Sequence, residues 1–164
     1  YELTPEKLIQ IGWASSLHDI GKIAIPDSII LKPAKLTKDE FELIKSHTTK
    51  GSEIIQHRVR LNDRAIFEYA YDIARHHHEK YDGKGYPDGL KGDEISIAAQ
   101  IVSLVDVYDA LTSKRVYKVA YESDKAYQMI LNGHSGAFSP KLLKAFAEVK
   151  SRFESLLAMY RDED

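Results

Sequence analysis

Ser96-Ile97-Ala98-Ala99-Gln100-Ile101-Val102-Ser103-Leu104-Val105-Asp106-Val107-Tyr108-Asp109-Ala110-Leu111-Thr112-Ser113 is the stretch that sets the class of this protein. Ser96 is a good N-cap, and Ile101, Leu104, Tyr108 and Leu111 recur at the spacing that turns one helix face to a core. Asp106 breaks the apolar run. It sits between Val105 and Val107, where an unpaired carboxylate would be costly, so the position asks for a cation.

Helical signals continue on both sides. Thr4 and Pro5 form an N-cap and first-turn pair, and Leu8, Ile11, Trp13, Ala14 and Leu17 predict a helix to about His18. Gly21 and Pro26 break that pattern. Thr37 with Glu40 makes a capping box that launches a second helix through Phe41, Ile44 and His47, with Gly51 interrupting it near its far end. A further helix starts after Asn62 or Asp63, carries Ile66, Ala70, Ile73 and His77 on one face, and ends in His76-His77-His78. From Asp82 to Glu94, Gly83, Gly85, Pro87, Gly89 and Gly92 are too many breakers for a helix or central strand, which predicts a structured loop. Downstream, Ser123 opens a short helix ending near Gly133. Ser139-Pro140 opens the last, with Leu142, Leu143, Phe146, Val149, Phe153, Leu156 and Leu157 as its stripe. Alternating strand patterns are nearly absent, and the expectation is an all-α bundle of about six to seven helices.

The bulk properties narrow the chemistry. At 164 residues the chain suits one domain with a real core, so residues 1–164 are read as a single unit. There is no cysteine, which excludes disulfides and thiolate metal sites and leaves nitrogen and oxygen as the only ligand atoms. A net charge of -2 argues against a polymer of nucleic acid as partner. No apolar run approaches the roughly 20 residues that cross a bilayer, and the first residues do not show a basic region followed by an apolar core, so the expected address is the cytoplasm without membrane contact. The chain opens beside a helix start, at Tyr1-Glu2-Leu3-Thr4-Pro5, and reads as a piece of something longer.

Metal-competent side chains gather at helix ends and faces: His18-Asp19, His47, His76-His77-His78 and Asp106. Any one buried histidine is more often a satisfied core residue, so the weight rests on the set. Histidine nitrogens with carboxylate oxygens suit iron, manganese or zinc, and shared carboxylates favour six-coordinate iron or manganese. Two such ions bridged by an aspartate form a usual machinery for in-line attack on phosphorus, so the constellation predicts phosphoester hydrolysis. His57 and His134 fit no motif and read as surface or packing residues.

The segments His18-Asp19-Ile20-Gly21-Lys22 and Tyr81-Asp82-Gly83-Lys84-Gly85-Tyr86-Pro87 resemble the two signatures of the HD-GYP family of cyclic di-GMP phosphodiesterases. The resemblance continues through Ile25-Pro26-Asp27, Lys35-Leu36-Thr37, His47-Thr48, His77-His78-Glu79 and Asp106 to Ser113. It implies an HD-domain-like bundle with a glycine-rich GYP loop. It also implies His18, Asp19, His47, His77, His78 and Asp106 as ligands of two, or three, divalent ions, with Asp19 as the bridge and His76 outside the set. By the same resemblance Asp19 and Lys22 are the catalytic pair, Lys22 steadying the scissile phosphate or assisting protonation. Tyr86, Arg115 and Lys118 contact the substrate. Two phosphodiester charges need fixed cations besides the metals, a need that Arg115 and Lys118 can meet.

The implied reaction is hydrolysis of cyclic di-GMP to pGpG and on to GMP. The alternatives are another cyclic dinucleotide such as cyclic GMP-AMP, or a module that binds ligand or partner for signalling without turnover. A nucleotide phosphohydrolase of the wider HD class is opposed by the GYP loop. Partners implied in a longer protein are an upstream sensor or receiver domain and a GGDEF-type domain. The family core has another histidine upstream of the His-Asp pair, whereas residues 1–17 contain none, so the first helix of that core is expected to lie outside this chain. Phe138-Ser139-Pro140 stands where relatives read Phe-Asp-Pro, a change that preserves the helix cap.

Overall fold

A computed structural model describes residues 3–58, 63–113 and 120–160. Among these no strand forms, and the chain is built from helices and tight turns. Helix α1 spans Pro5–Ser15, capped by the Thr4 hydroxyl accepting from the Lys7 amide. A 3-10 turn at Ile20–Ala24 and the short α2, Asp27–Ile30, lead to α3, Lys38–Lys45, which carries the expected Thr37–Glu40 capping box. Then come α4, His47–Arg58, and α5, Arg64–His76, the latter capped by Asp63. After the glycine loop, Ser96 caps α6, Ile97–Thr112, as its sequence predicts. Helices α7, Ser123–Leu131, α8, Pro140–Glu148, and α9, Lys150–Tyr160, complete the described chain.

Helix α6 belongs to two apolar clusters at once. Ala98 and Val102 pack with Ile11 and Ala14 of α1, Ile55 of α4, and Ala70, Ile73 and Ala74 of α5. Leu104, Tyr108 and Leu111 pack with Ala126, Tyr127 and Ile130 of α7 and with Phe138, Leu142 and Phe146. Burying each large apolar side chain contributes about 1.5–3 kcal/mol, so α6 is the strut on which both halves depend.

Several boundaries differ from the sequence reading. Helix α1 stops at Ser15, and Leu17, His18, Ile20 and Lys22 donate to carbonyls three residues back, so the chain enters His18-Asp19 through tight turns. Trp13 is exposed because it lies on the side of α1 away from the inner face that Ile11 and Ala14 define, and Leu8 is exposed as well. The break in the second helix falls at Ser46, whose hydroxyl donates to the Leu43 carbonyl. Gly51 lies inside α4, where it meets the Gly21 backbone: a β-carbon on Gly51 would come 3.2 Å from the Gly21 nitrogen. Both glycines permit close approach of the His-Asp turn to α4. Helix α7 opens at Ser123 as expected, and the Ser123 hydroxyl pairs with Tyr108 at 2.8 Å. The last helix divides at Val149. His57 and His134 are exposed, as expected.

Candidate metal centre

Three separate chain segments deliver the donors. The tight turn after α1 carries His18 and Asp19, the first residue of α4 is His47, and His77-His78 follow α5 directly. Asp19, His47, His77 and His78 each offer one ligand atom, and these atoms all lie within 4.8 Å of one another. Asp19 Oδ1 is 3.4 Å from His47 Nε2 and 3.8 Å from His77 Nε2, while its Oδ2 is 3.2 Å from His18 Nε2. Asp106 stands further out on α6, with Oδ1 4.0 Å from His18 Nε2. Atoms bound about 2.0–2.2 Å from one ion lie about 3–4 Å apart, the separation seen here.

Hydrogen bonds behind the rings decide which nitrogen faces inward. His18, His47 and His77 each place Nδ1 on a backbone carbonyl, of Ser15 at 2.8 Å, Ile44 at 2.6 Å and Ile73 at 2.9 Å. A carbonyl only accepts, so Nδ1 carries a proton; His47 and His77 then turn the Nε2 lone pair to the cluster, while His18 Nε2 faces the Asp19 carboxylate. His47 Nε2 and His77 Nε2 are 3.4 Å apart, and two lone pairs at that distance repel unless a cation lies between them. Asp19 Oδ1 is buried without a hydrogen-bond partner among the described residues. These donors fit a divalent ion.

Electrostatics supports the same state. Burial lowers His77 to about 3 and His78 to about 2, helped by the neighbouring imidazoles, so both are neutral and able to ligate near neutral pH. Burial also lowers His47. For Asp19, burial pushes upward but is outweighed by hydrogen bonds from His18 and Lys22, which hold the carboxyl well below the usual range. The hydrogen bond to Asp19 raises the His18 pKa against the opposing effect of burial.

Around the donors, Lys22 Nζ lies 2.5 Å from Asp19 Oδ2 and is partly exposed, within reach of an incoming anion. The Tyr86 ring lies against His78 with centroids 4.9 Å apart, and burial raises its hydroxyl pKa. Arg115 and Lys118 lie outside the described residues. His76 is set apart from its neighbours: Nδ1 meets Asp72 at 2.7 Å and Nε2 meets Asp88 at 3.0 Å, so both ring nitrogens are engaged by carboxylates. Asp88 also takes a two-pronged contact from Arg75.

Sequence reasoning assigned no role to Glu79, Lys45 or Lys80. Glu79 is buried, and its Oε1 accepts from the Asp88 and Gly89 amides at 2.7 and 3.0 Å, tying the glycine loop to the end of α5. Its place directly after His77-His78 was the available signal. Lys45 Nζ stands 5.5 Å from the Tyr86 ring centre, a contact between distant segments that spacing does not reveal. Burial lowers the pKa of Lys80 while the charge of Asp106 opposes the shift. A cavity of about 530 Å3 between the starts of α6 and α8 includes none of the donors, so the site is located by convergence of ligand atoms.

Comparison with known proteins agrees with this arrangement. Residues 1–142 match the HD domain family. A Vibrio cholerae protein described as a cyclic di-GMP phosphodiesterase is 41% identical over 161 residues, covering 98% of this chain and 33% of the relative. A cyclic di-GMP phosphodiesterase response regulator of Xanthomonas campestris is 39% identical over 158 residues, covering 96% and 41%. A 3'3'-cGAMP-specific phosphodiesterase 2 of Vibrio cholerae is 38% identical over 162 residues, covering 99% and 30%. The chain thus spans about a third of the length of these curated relatives. Among the described residues no helix is long and apolar enough to cross a membrane. With its histidine–aspartate cluster backed by a Gly85-Tyr86-Pro87 loop, this chain belongs to the HD domain family, in its HD-GYP branch.

Proposed function

We propose that this domain hydrolyses a phosphodiester bond of cyclic di-GMP, giving linear pGpG and then GMP, as part of a longer cytoplasmic signalling protein with an upstream sensor or receiver domain. A GGDEF-type domain is the corresponding partner. The observation that carries the reading is the convergence of His18, His47 and His77, each with Nε2 directed inward, on the ionised Asp19. The relatives' descriptions supply the substrate class.

His18, Asp19, His47, His77, His78 and Asp106 would hold two or three divalent ions, with iron or manganese suited to this nitrogen and oxygen set. Such ions, when bound, supply Lewis acidity and an activated water for attack at phosphorus. Asp19 directs Oδ1 towards His47 and His77 and Oδ2 towards His18 and Lys22, so one carboxylate serves both sides of the cluster. Lys22 steadies the scissile phosphate and stands ready to deliver a proton to the leaving oxygen. Tyr86 forms a wall against which a base can rest, and Arg115 and Lys118 bind the remaining phosphate charge.

The test is incubation of the full-length protein with cyclic di-GMP and manganese or ferrous iron, with products separated by chromatography. Formation of pGpG supports the reading. Substrate that is bound tightly yet intact after hours would replace it with a non-hydrolysing binding module. The 3'3'-cGAMP-specific relative makes cyclic GMP-AMP the second substrate to assay. Arg115→Ala should raise KM with the metal retained, and an unchanged KM would remove Arg115 from the substrate site.

A further inference from the structure

Glu79 Oε2, Gln100 Oε1 and Ser103 Oγ are buried atoms without a hydrogen-bond partner among the described residues. Their residues are only 3, 6 and 3% exposed, and all three residues line one small cavity of about 10 Å3. The other end of each long side chain is already fixed. Glu79 Oε1 holds the Asp88 and Gly89 amides, and the Gln100 Nε2 group donates to the Ile95 carbonyl at 2.8 Å, leaving its Oε1 without a partner.

The chemistry of these atoms defines the occupant. Two are acceptors only, and the third is a hydroxyl able to donate, so their common partner must donate twice and accept once. A single water does this, and a polar space of roughly 10–15 Å3 is what one water requires. We propose that Glu79, Gln100 and Ser103 form a binding site for one structural water, which donates to Glu79 Oε2 and Gln100 Oε1 and accepts from Ser103 Oγ.

The water joins the glycine loop to α6. Glu79 follows His77-His78 and anchors the loop that carries Tyr86, while Ser103 lies one helical turn before Asp106. Gln100 and Ser103 are therefore positioning residues for the donors on either side. That consequence rests on the metal-centre reading, whereas the water site does not.

A crystal structure of the protein at high resolution tests the site directly. The expected result is one peak within about 2.6–3.2 Å of all three atoms. No peak, or a cation with contacts too short for hydrogen bonds, would overturn it. Thermal unfolding of Gln100→Leu, Ser103→Ala and the double variant supplies a second test in metal-free protein. Each single variant should lower Tm by about 2–6 °C, Gln100→Leu also losing the bond to the Ile95 carbonyl, and the double by clearly less than the combined shift, because both remove a partner of one water. Additive shifts would reject the shared site. With the water density present, unchanged manganese affinity in both single variants would reject only the positioning role, leaving metal-centre failure distinguishable from failure of the water site.

Discussion

Replacing Gly21 by alanine should force the His18-Asp19 turn away from α4. A β-carbon at Gly21 would overlap the His47 carbonyl oxygen and come 2.5 Å from the Gly51 nitrogen and 2.8 Å from the His47 carbonyl carbon. All three are backbone atoms, so no rotamer change relieves the clash, and ordinary contact is restored only if the segments separate by roughly 1 Å. Overpacking of this kind costs about 3 kcal/mol, which in a domain of this size lowers Tm by about 6–12 °C. The same displacement acts on Asp19 and His47, now 3.4 Å apart, in a site whose ligand distances tolerate only about 0.2 Å. Manganese affinity should therefore fall by about 10–100-fold. Calorimetric unfolding and metal titration measure both effects. Gly12→Ala is the control: nothing lies within 4 Å of its added carbon, and the change should be neutral or raise stability by about 0.4–1 kcal/mol. A Gly21→Ala protein with wild-type Tm and wild-type metal affinity would refute the close-approach argument.

Asp19→Ala should abolish hydrolysis and lower metal content, and elemental analysis showing unchanged stoichiometry at an unchanged rate would dismiss the assigned centre. His76→Asn should lower Tm, because it loosens the contacts to Asp72 and Asp88, yet leave metal stoichiometry intact; a parallel loss of metal would place His76 in the cluster. Metal-free protein should lose stability as pH falls from about 6.5 towards about 3, by at most about 1.4 kcal/mol per unit for His77. The sign follows from the depressed value in the fold: the unfolded chain takes up a proton that buried His77 refuses. His76 works in the other direction above pH 6.5, where Asp72 and Asp88 hold its proton, despite opposing burial, after an unfolded imidazole has lost it. A flat unfolding midpoint between pH 6.5 and 4 would contradict the buried neutral state of His77.

Local signals explain why so much of the helical framework could be read from the chain. Thr4, Thr37, Asp63, Ser96 and Ser139 each bond an amide two or three residues ahead, so the cap and its partner occupy one short segment. The ends were less legible where a distant contact decided them. Gly51 resembles a helix breaker in sequence, but its place inside α4 becomes intelligible only beside Gly21. Trp13 and Leu8 fit an apolar helix, yet the packing of α1 leaves both outside.

The identity and spacing of the donor residues are written in the sequence, because each short motif carries its own side-chain chemistry. Their meeting is not, since it depends on α4, α5 and the turn after α1 packing at one corner. Adjacent His76 and His77 have the same intrinsic chemistry. Only tertiary structure gives one two carboxylate partners and the other a backbone carbonyl and a dry, inward-facing nitrogen.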